Sequence, residues 1–119
     1  MRHQPTELTV DSLEELDLMV ESQDFIFAKS IVEGILATVD TDEPEAYLLT
    51  IKINSENALY DVIVGREDFA ETLEENLPHY IREEEYEECR RIATVVEKLK
   101  ENNLSTMVTN LVKIKGKNG

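Results

Sequence analysis

The chain has 119 residues, enough for one domain with one modest core. Twelve Lys and Arg against 26 Asp and Glu leave a formal charge of −14. A surface of that sign repels phosphate backbones and anionic leaflets, which argues against broad nucleic-acid or membrane binding and for basic partners.

Residues 1–10 read as a flexible arm ahead of a compact domain over 11–112 and a basic tail over 113–119. MRHQPTELTV has no apolar run of the kind a secretory leader needs. The single cysteine, Cys89, has no internal partner, so a reducing, cytoplasmic setting is the expectation. Asp11 or Ser12 can cap a first helix, with Glu14 and Glu15 in its first turn. Leu13, Leu16 and Val20 then recur at helical spacing. Ser22, Gln23 and Asp24 interrupt that pattern before Phe25, Ala28, Ile31, Val32 and Ile35 begin a second apolar stripe. Two helices joined by a tight turn are the simplest account. Pro44 and the acids around it mark the next boundary.

The period changes after Pro44. In AYLLTIKIN, Tyr47, Leu49, Ile51 and Ile53 alternate with Leu48, Thr50 and Lys52. In ALYDVIVG, Leu59, Asp61 and Ile63 alternate with Tyr60, Val62 and Val64. Alternation with β-branched residues predicts a β-hairpin closed at Ser55, Glu56 and Asn57. A helix over 44–63 is the competing reading, because Pro44 suits a first helical position. Gly65 to Asp68 then lead into a helix carrying Phe69, Thr72, Leu73 and Leu77, which Pro78 kinks or restarts. A second helix follows, Asn102 and Asn103 interrupt it, and Leu104, Met107, Val108 and Leu111 suit one more short helix. That last stripe, on so small a chain, is compatible with a homodimer. The predicted class is α+β, mostly helical: two helical hairpins flanking a β-hairpin, with a short C-terminal helix.

The two helical segments echo each other. Leu16 falls on Leu77, Val20 on Ile81, Phe25 on Tyr86, Ala28 on Cys89, Ile31 on Ile92 and Ile35 on Val96. These are packing positions, and any two helical hairpins can align in this way. The echo makes Phe25 and Tyr86 the expected aromatic anchors of the core, and Cys89 a small core residue.

Residues 71–102, ETLEENLPHYIREEEYEECRRIATVVEKLKEN, resemble the UVR motif, a short helical hairpin of nucleotide-excision-repair proteins and some bacterial regulators. The likeness lies in Glu85-Tyr86-Glu87-Glu88-Cys89-Arg90, followed by Ile92 and Lys98-Leu99-Lys100. Pro78 within the first helix and Cys89 in place of alanine depart from the pattern. Hairpins of that family dock onto other proteins, so the resemblance implies docking.

Glu83, Glu84, Glu85, Glu87 and Glu88 form the densest acidic patch and the candidate partner-binding residues. Three of them are expected at the start of the second helix, where the macrodipole offsets their repulsion. They read either as a solvated face or as a surface for a larger protein with a basic patch. Cys89 beside Arg90 and Arg91 could be a thiolate nucleophile, and His79 a base, but neither has partners at an interpretable spacing. No phosphate loop, HExxH or GxSxG is present, and no metal-ligand spacing is legible. The expectation is therefore a non-enzymatic adaptor or regulator without catalytic residues, cofactor or metal. The alternatives are an acidic mimic of nucleic acid that blocks a DNA- or RNA-binding enzyme and, more remotely, a small enzyme using Cys89 or His79.

Overall fold

A computed structural model describes residues 6–22 and 24–118, with side chains described as far as Asn102. Its elements run β1 (Thr6–Val10), α1 (Leu13–Glu21), α2 (Phe25–Thr38), β2 (Glu45–Ile53), β3 (Ala58–Gly65), α3 (Phe69–Arg82) and α4 (Tyr86–Asn118). Short 3₁₀ turns at Asn54–Glu56 and Arg66–Asp68 close the β2–β3 hairpin and lead into α3. The class is α+β. The competing helix over 44–63 is not formed: Glu45–Ile53 and Ala58–Gly65 are strands, in keeping with a side-chain period of two and not 3.6.

The sheet has the order β1-β2-β3. β1 runs parallel to β2, from Thr6 beside Leu49 to Val10 beside Ile53, and β3 returns antiparallel. The segment read as the end of a flexible arm thus supplies a strand. Thr6, Leu8 and Val10 alternate with Glu7 and Thr9, and Val10 is fully buried. Asn57 closes the hairpin at φ 49°, a left-handed conformation that asparagine tolerates.

β2 carries a bulge. Tyr47 pairs with Ile63 and Leu49 with Val62, so Leu48 is the unpaired extra residue. The bulge turns both Leu48 and Leu49 inward and puts Tyr47, expected on the side of Leu49, onto the open face instead.

α2 lies on the covered face of the sheet, α3 packs on α2, and α4 packs on α3. The core joins Ala28, Val32 and Ile35 of α2, Leu48 and Leu49 of β2, Phe69, Leu73 and Tyr80 of α3, and Ile92 and Val96 of α4. Asp24 caps α2, its Oδ1 accepting from the Ile26 amide at 3.1 Å. Ser12 caps α1, its Oγ accepting from the Glu15 amide at 3.2 Å.

The first pair of helices is not a packed hairpin. α1 contacts β1, has no buried residue, and leaves Leu13, Leu18 and Val20 exposed. The boundaries still keep the spacing of the echo: α1 ends at Glu21 and α3 at Arg82, while α2 starts at Phe25 and α4 at Tyr86. The packing does not keep it. α4 also continues through Asn102 and Asn103 with no separate C-terminal helix, since asparagine disfavours a helix only weakly compared with Gly or Pro. The stripe Leu104, Met107, Val108 and Leu111, and the tail from Lys113, lie outside the described side chains. Pro78 sits inside α3 without ending it.

Arg66 secures the far end of α2. Its Nη1 donates to Val39 O at 3.1 Å and its Nη2 to Thr38 O at 3.1 Å and Thr41 O at 2.7 Å. Its Nε donates to Glu43 O at 2.9 Å, and the guanidinium lies 5.2 Å from the centroid of the Phe69 ring. A cation at a helix C-terminus satisfies carbonyls that have no intrahelical partner.

Candidate functional site

The link between α3 and α4 is where the acids gather. α3 ends with the Glu84 amide donating to Ile81 O and the Glu85 amide to Tyr80 O, both at 3.0 Å. This pair of bonds is a Schellman motif, which needs its C′ residue in the left-handed region. That residue is Glu84, at φ 58°. Glycine is the usual occupant, because a Cβ crowds the following carbonyl there. Replacing Glu84 with Gly should therefore stabilise the fold by about 1 kcal/mol, read as a higher midpoint in urea unfolding. An unchanged or lower midpoint would show that the turn carries no strain.

The turn fixes where each predicted residue stands. Glu83 is the C-cap of α3, Glu84 is the left-handed residue after it, and Glu85 heads the first turn of α4, its carbonyl accepting from the Cys89 amide. Glu87 and Glu88 are in that turn. Glu83, Glu84, Glu85 and Glu87 are exposed, and Glu88 is half-buried. Two cations answer them: Arg82 Nε lies 3.6 Å from Glu83 Oε1, and Arg91 Nη1 lies 3.6 Å from Glu88 Oε2. Both pairs are solvent-exposed and neutralise little of the patch.

Two apolar side chains stand among the acids. Ile81 is 51% exposed and Tyr86 is 60% exposed. The echo placed Tyr86 in the core opposite Phe25. Tyr80, one turn back on α3, takes that place, with its ring 4.8 Å from Phe25 at an interplanar angle of 74°. Burial, reinforced by Glu33, Glu88 and Glu85 and opposed by Arg91, pushes the Tyr80 phenol up to about 12. The sequence offered a sign that Tyr86 faces out: it opens its helix directly after a run of three acids.

Cys89 is half-buried and packs against the core, and His79 is half-buried in the last turn of α3. A shallow groove along α4 is lined by Glu87, Arg90, Arg91, Thr94 and Val95. Among the described residues no group of three or more His, Cys, Asp or Glu side chains is placed to hold a metal ion. Among the described residues no helix is long and apolar enough to cross a membrane. What the turn can do chemically is accept charge-assisted hydrogen bonds from Lys and Arg around a small apolar centre. No protein-family model matches the chain, and no curated protein or solved structure matches it either.

Proposed function

We propose that the protein is a non-enzymatic protein–protein interaction module, an adaptor or regulator that docks on the basic surface of a larger protein through the α3–α4 turn. One observation carries this reading: the turn is built against its own stability. Glu84 occupies a left-handed position suited to glycine, and Glu83 and Glu84 stand at the negative end of the α3 dipole, while Glu85 heads α4, its carbonyl accepting from the Cys89 amide. A sequence selected for the fold alone would place Gly at the position of Glu84. Ile81 and Tyr86 add an apolar centre within the acidic rim, the composition typical of an interface that excludes water at its middle. The resemblance of residues 71–102 to the UVR hairpin supports the same role, and a cytoplasmic setting suits the single unpaired thiol.

The test is affinity capture with the full chain, with the double variant Glu84→Lys and Glu87→Lys, and with Tyr86→Ala. Both variants change exposed side chains and should keep the unfolding free energy within about 0.5 kcal/mol of the parent or above it. A partner retained by the parent should be released as salt rises and lost to the double variant. Tyr86→Ala should weaken it about tenfold or more, as expected for an aromatic at the centre of an interface. Retention that ignores salt and both variants would remove the turn from the interface. Captured nucleic-acid-binding proteins stripped of their nucleic acid would favour the mimic instead.

A further inference from the structure

We infer that β3 is a strand-addition edge, which takes an extended segment of a partner protein carrying a central Lys or Arg with apolar residues two positions to either side. The inference stands apart from the α3–α4 turn and rests on different residues.

β3 is the outer strand of the sheet. Among the described residues its backbone pairs only with β2, so one row of N–H and C=O groups from Ala58 to Val64 faces outward without a partner. Proteins usually blunt such edges with Pro, charged side chains (Lys above all), bulges or very short strands, and β3 carries one charge, Asp61. ALYDVIVG has neither Pro nor Lys, it extends over 8 residues, and the bulge lies on β2. The opposite edge, β1, has 5 described residues and shows Glu7 and Thr9 to solvent. The two edges differ in kind.

The side chains of β3 define what could pair there. Leu59, Asp61 and Ile63 share the open face of the sheet, and Leu59 is 66% and Ile63 47% exposed. Tyr47, paired with Ile63, widens the apolar patch on that face. Residues directly opposite in a sheet have Cβ atoms about 5 Å apart, so a partner strand meets Leu59 and Ile63 with apolar residues and Asp61 with whatever lies between. Asp61 accepts from Thr50 Oγ1 at 2.9 Å, which holds its carboxylate on this face. Glu56 stands beyond one end of the strand, and Glu67 and Asp68 beyond the other. Lys52 lies on the β2 side of this face, paired with Leu59; on the outer side a cation opposite Asp61 is the complementary choice.

The same residue argues against a second copy as the occupant. Antiparallel self-pairing that matches Leu59 with Ile63 sets Asp61 directly opposite Asp61, on two molecules that each carry a charge of −14. Like charges directly opposite destabilise a strand pair. Shifting the register to avoid that clash puts Leu59 opposite Gly65 and loses the apolar match. Asp61 thus keeps the edge open to others while closing it to itself.

The probe is a blocked heptapeptide, Lys-Val-Thr-Lys-Thr-Val-Lys, mixed with the full-length protein and followed by amide hydrogen exchange. Binding should slow exchange at the outward amides within Ala58–Val64. Glu in place of the central Lys should weaken binding about tenfold, and a Pro-Pro pair in place of the first Val-Thr, which removes an inward amide whichever way the alternation falls, should abolish it. Asp61→Lys, at an exposed position, should reverse the preference so that the Glu peptide binds better. Asp61→Val should allow β3 edges to pair, read by sedimentation as association one step beyond that of the parent. Equal binding of the Pro peptide, protection confined to Glu83–Glu88, an unaltered preference in Asp61→Lys, or a parent already dimerised through β3 would each overturn the inference. A failed capture experiment at the α3–α4 turn would leave this one intact, because no turn residue enters it.

Discussion

Replacing Arg66 with Ala should destabilise the fold by about 3 kcal/mol and lower its melting temperature by about 10 °C. Four carbonyls, those of Thr38, Val39, Thr41 and Glu43, accept from this one guanidinium. A hydrogen bond from a charged donor contributes more than a neutral one, and buried acceptors left unpaired carry a desolvation cost. The bonds to Thr38 and Val39 are partly buried, so water replaces the lost donors poorly there. Truncation also removes the cation over Phe69, a residue with no exposed surface. Arg66→Lys should recover less than half of the loss, because one ammonium cannot span acceptors that a planar fork reaches together. The acceptors are neutral carbonyls, so the loss should change little between low and high salt, unlike that of a surface ion pair. A loss below about 1 kcal/mol in urea unfolding would mean that water serves the end of α2 as well as Arg66 does.

Arg66 also illustrates what a single sequence does not reveal. The stretch Gly65 to Asp68 is legible as a strand end leading to a helix, and so it is. That its arginine reaches back to the carbonyls of Thr38 to Glu43 depends on how the β-hairpin returns beside the end of α2, a non-local fact. The hairpin itself was legible, because alternation over two adjacent stretches is a local property of the chain. β1 was not: TELTV has the same alternation, but five residues pairing in parallel with a strand far along the chain give no turn signal. The helices were legible, and so was the pairing of α3 with α4, but the partner of α1 was not. Leu13, Leu16 and Val20 repeat at helical spacing, yet α1 meets β1, since periodicity states that a face is apolar without naming what covers it. The same gap misplaced Tyr86. Its spacing fits a core position, but Tyr80 already fills the space against Phe25, which leaves Tyr86 beside the acids of the candidate site. Those acids were readable as a cluster. That Glu84 holds a strained turn was not, because a left-handed residue is recognisable from sequence chiefly when it is Gly or Asn.

The second large effect is expected at Gly34, where α2 comes closest to the sheet. A Cβ built there would lie 2.8 Å from Leu48 Cδ2, 3.2 Å from Leu48 Cα and 3.3 Å from Tyr47 O. Two of these three atoms belong to the backbone of the β2 bulge, so a rotamer change in Leu48 cannot clear them. Leu48 is itself only 3% exposed and is hemmed in by the core. Gly34→Val should cost about 3 kcal/mol, the upper range for forcing bulk into a packed interior. Gly34→Ala gains about 1 kcal/mol of helix propensity, and the clash should still leave it about 1 kcal/mol less stable than the parent. The contact to Leu48 Cδ2 gives the explanation a sharper test. Leu48→Ala alone creates a cavity and should cost about 3 kcal/mol, but it also removes the atom nearest the new methyl. Combined with Gly34→Ala, the two losses should fall short of their sum by about 1 kcal/mol. Strict additivity, with Gly34→Ala no less stable than the parent, would show that α2 and the bulge have room between them. The bulge would then not be the feature that seats this helix.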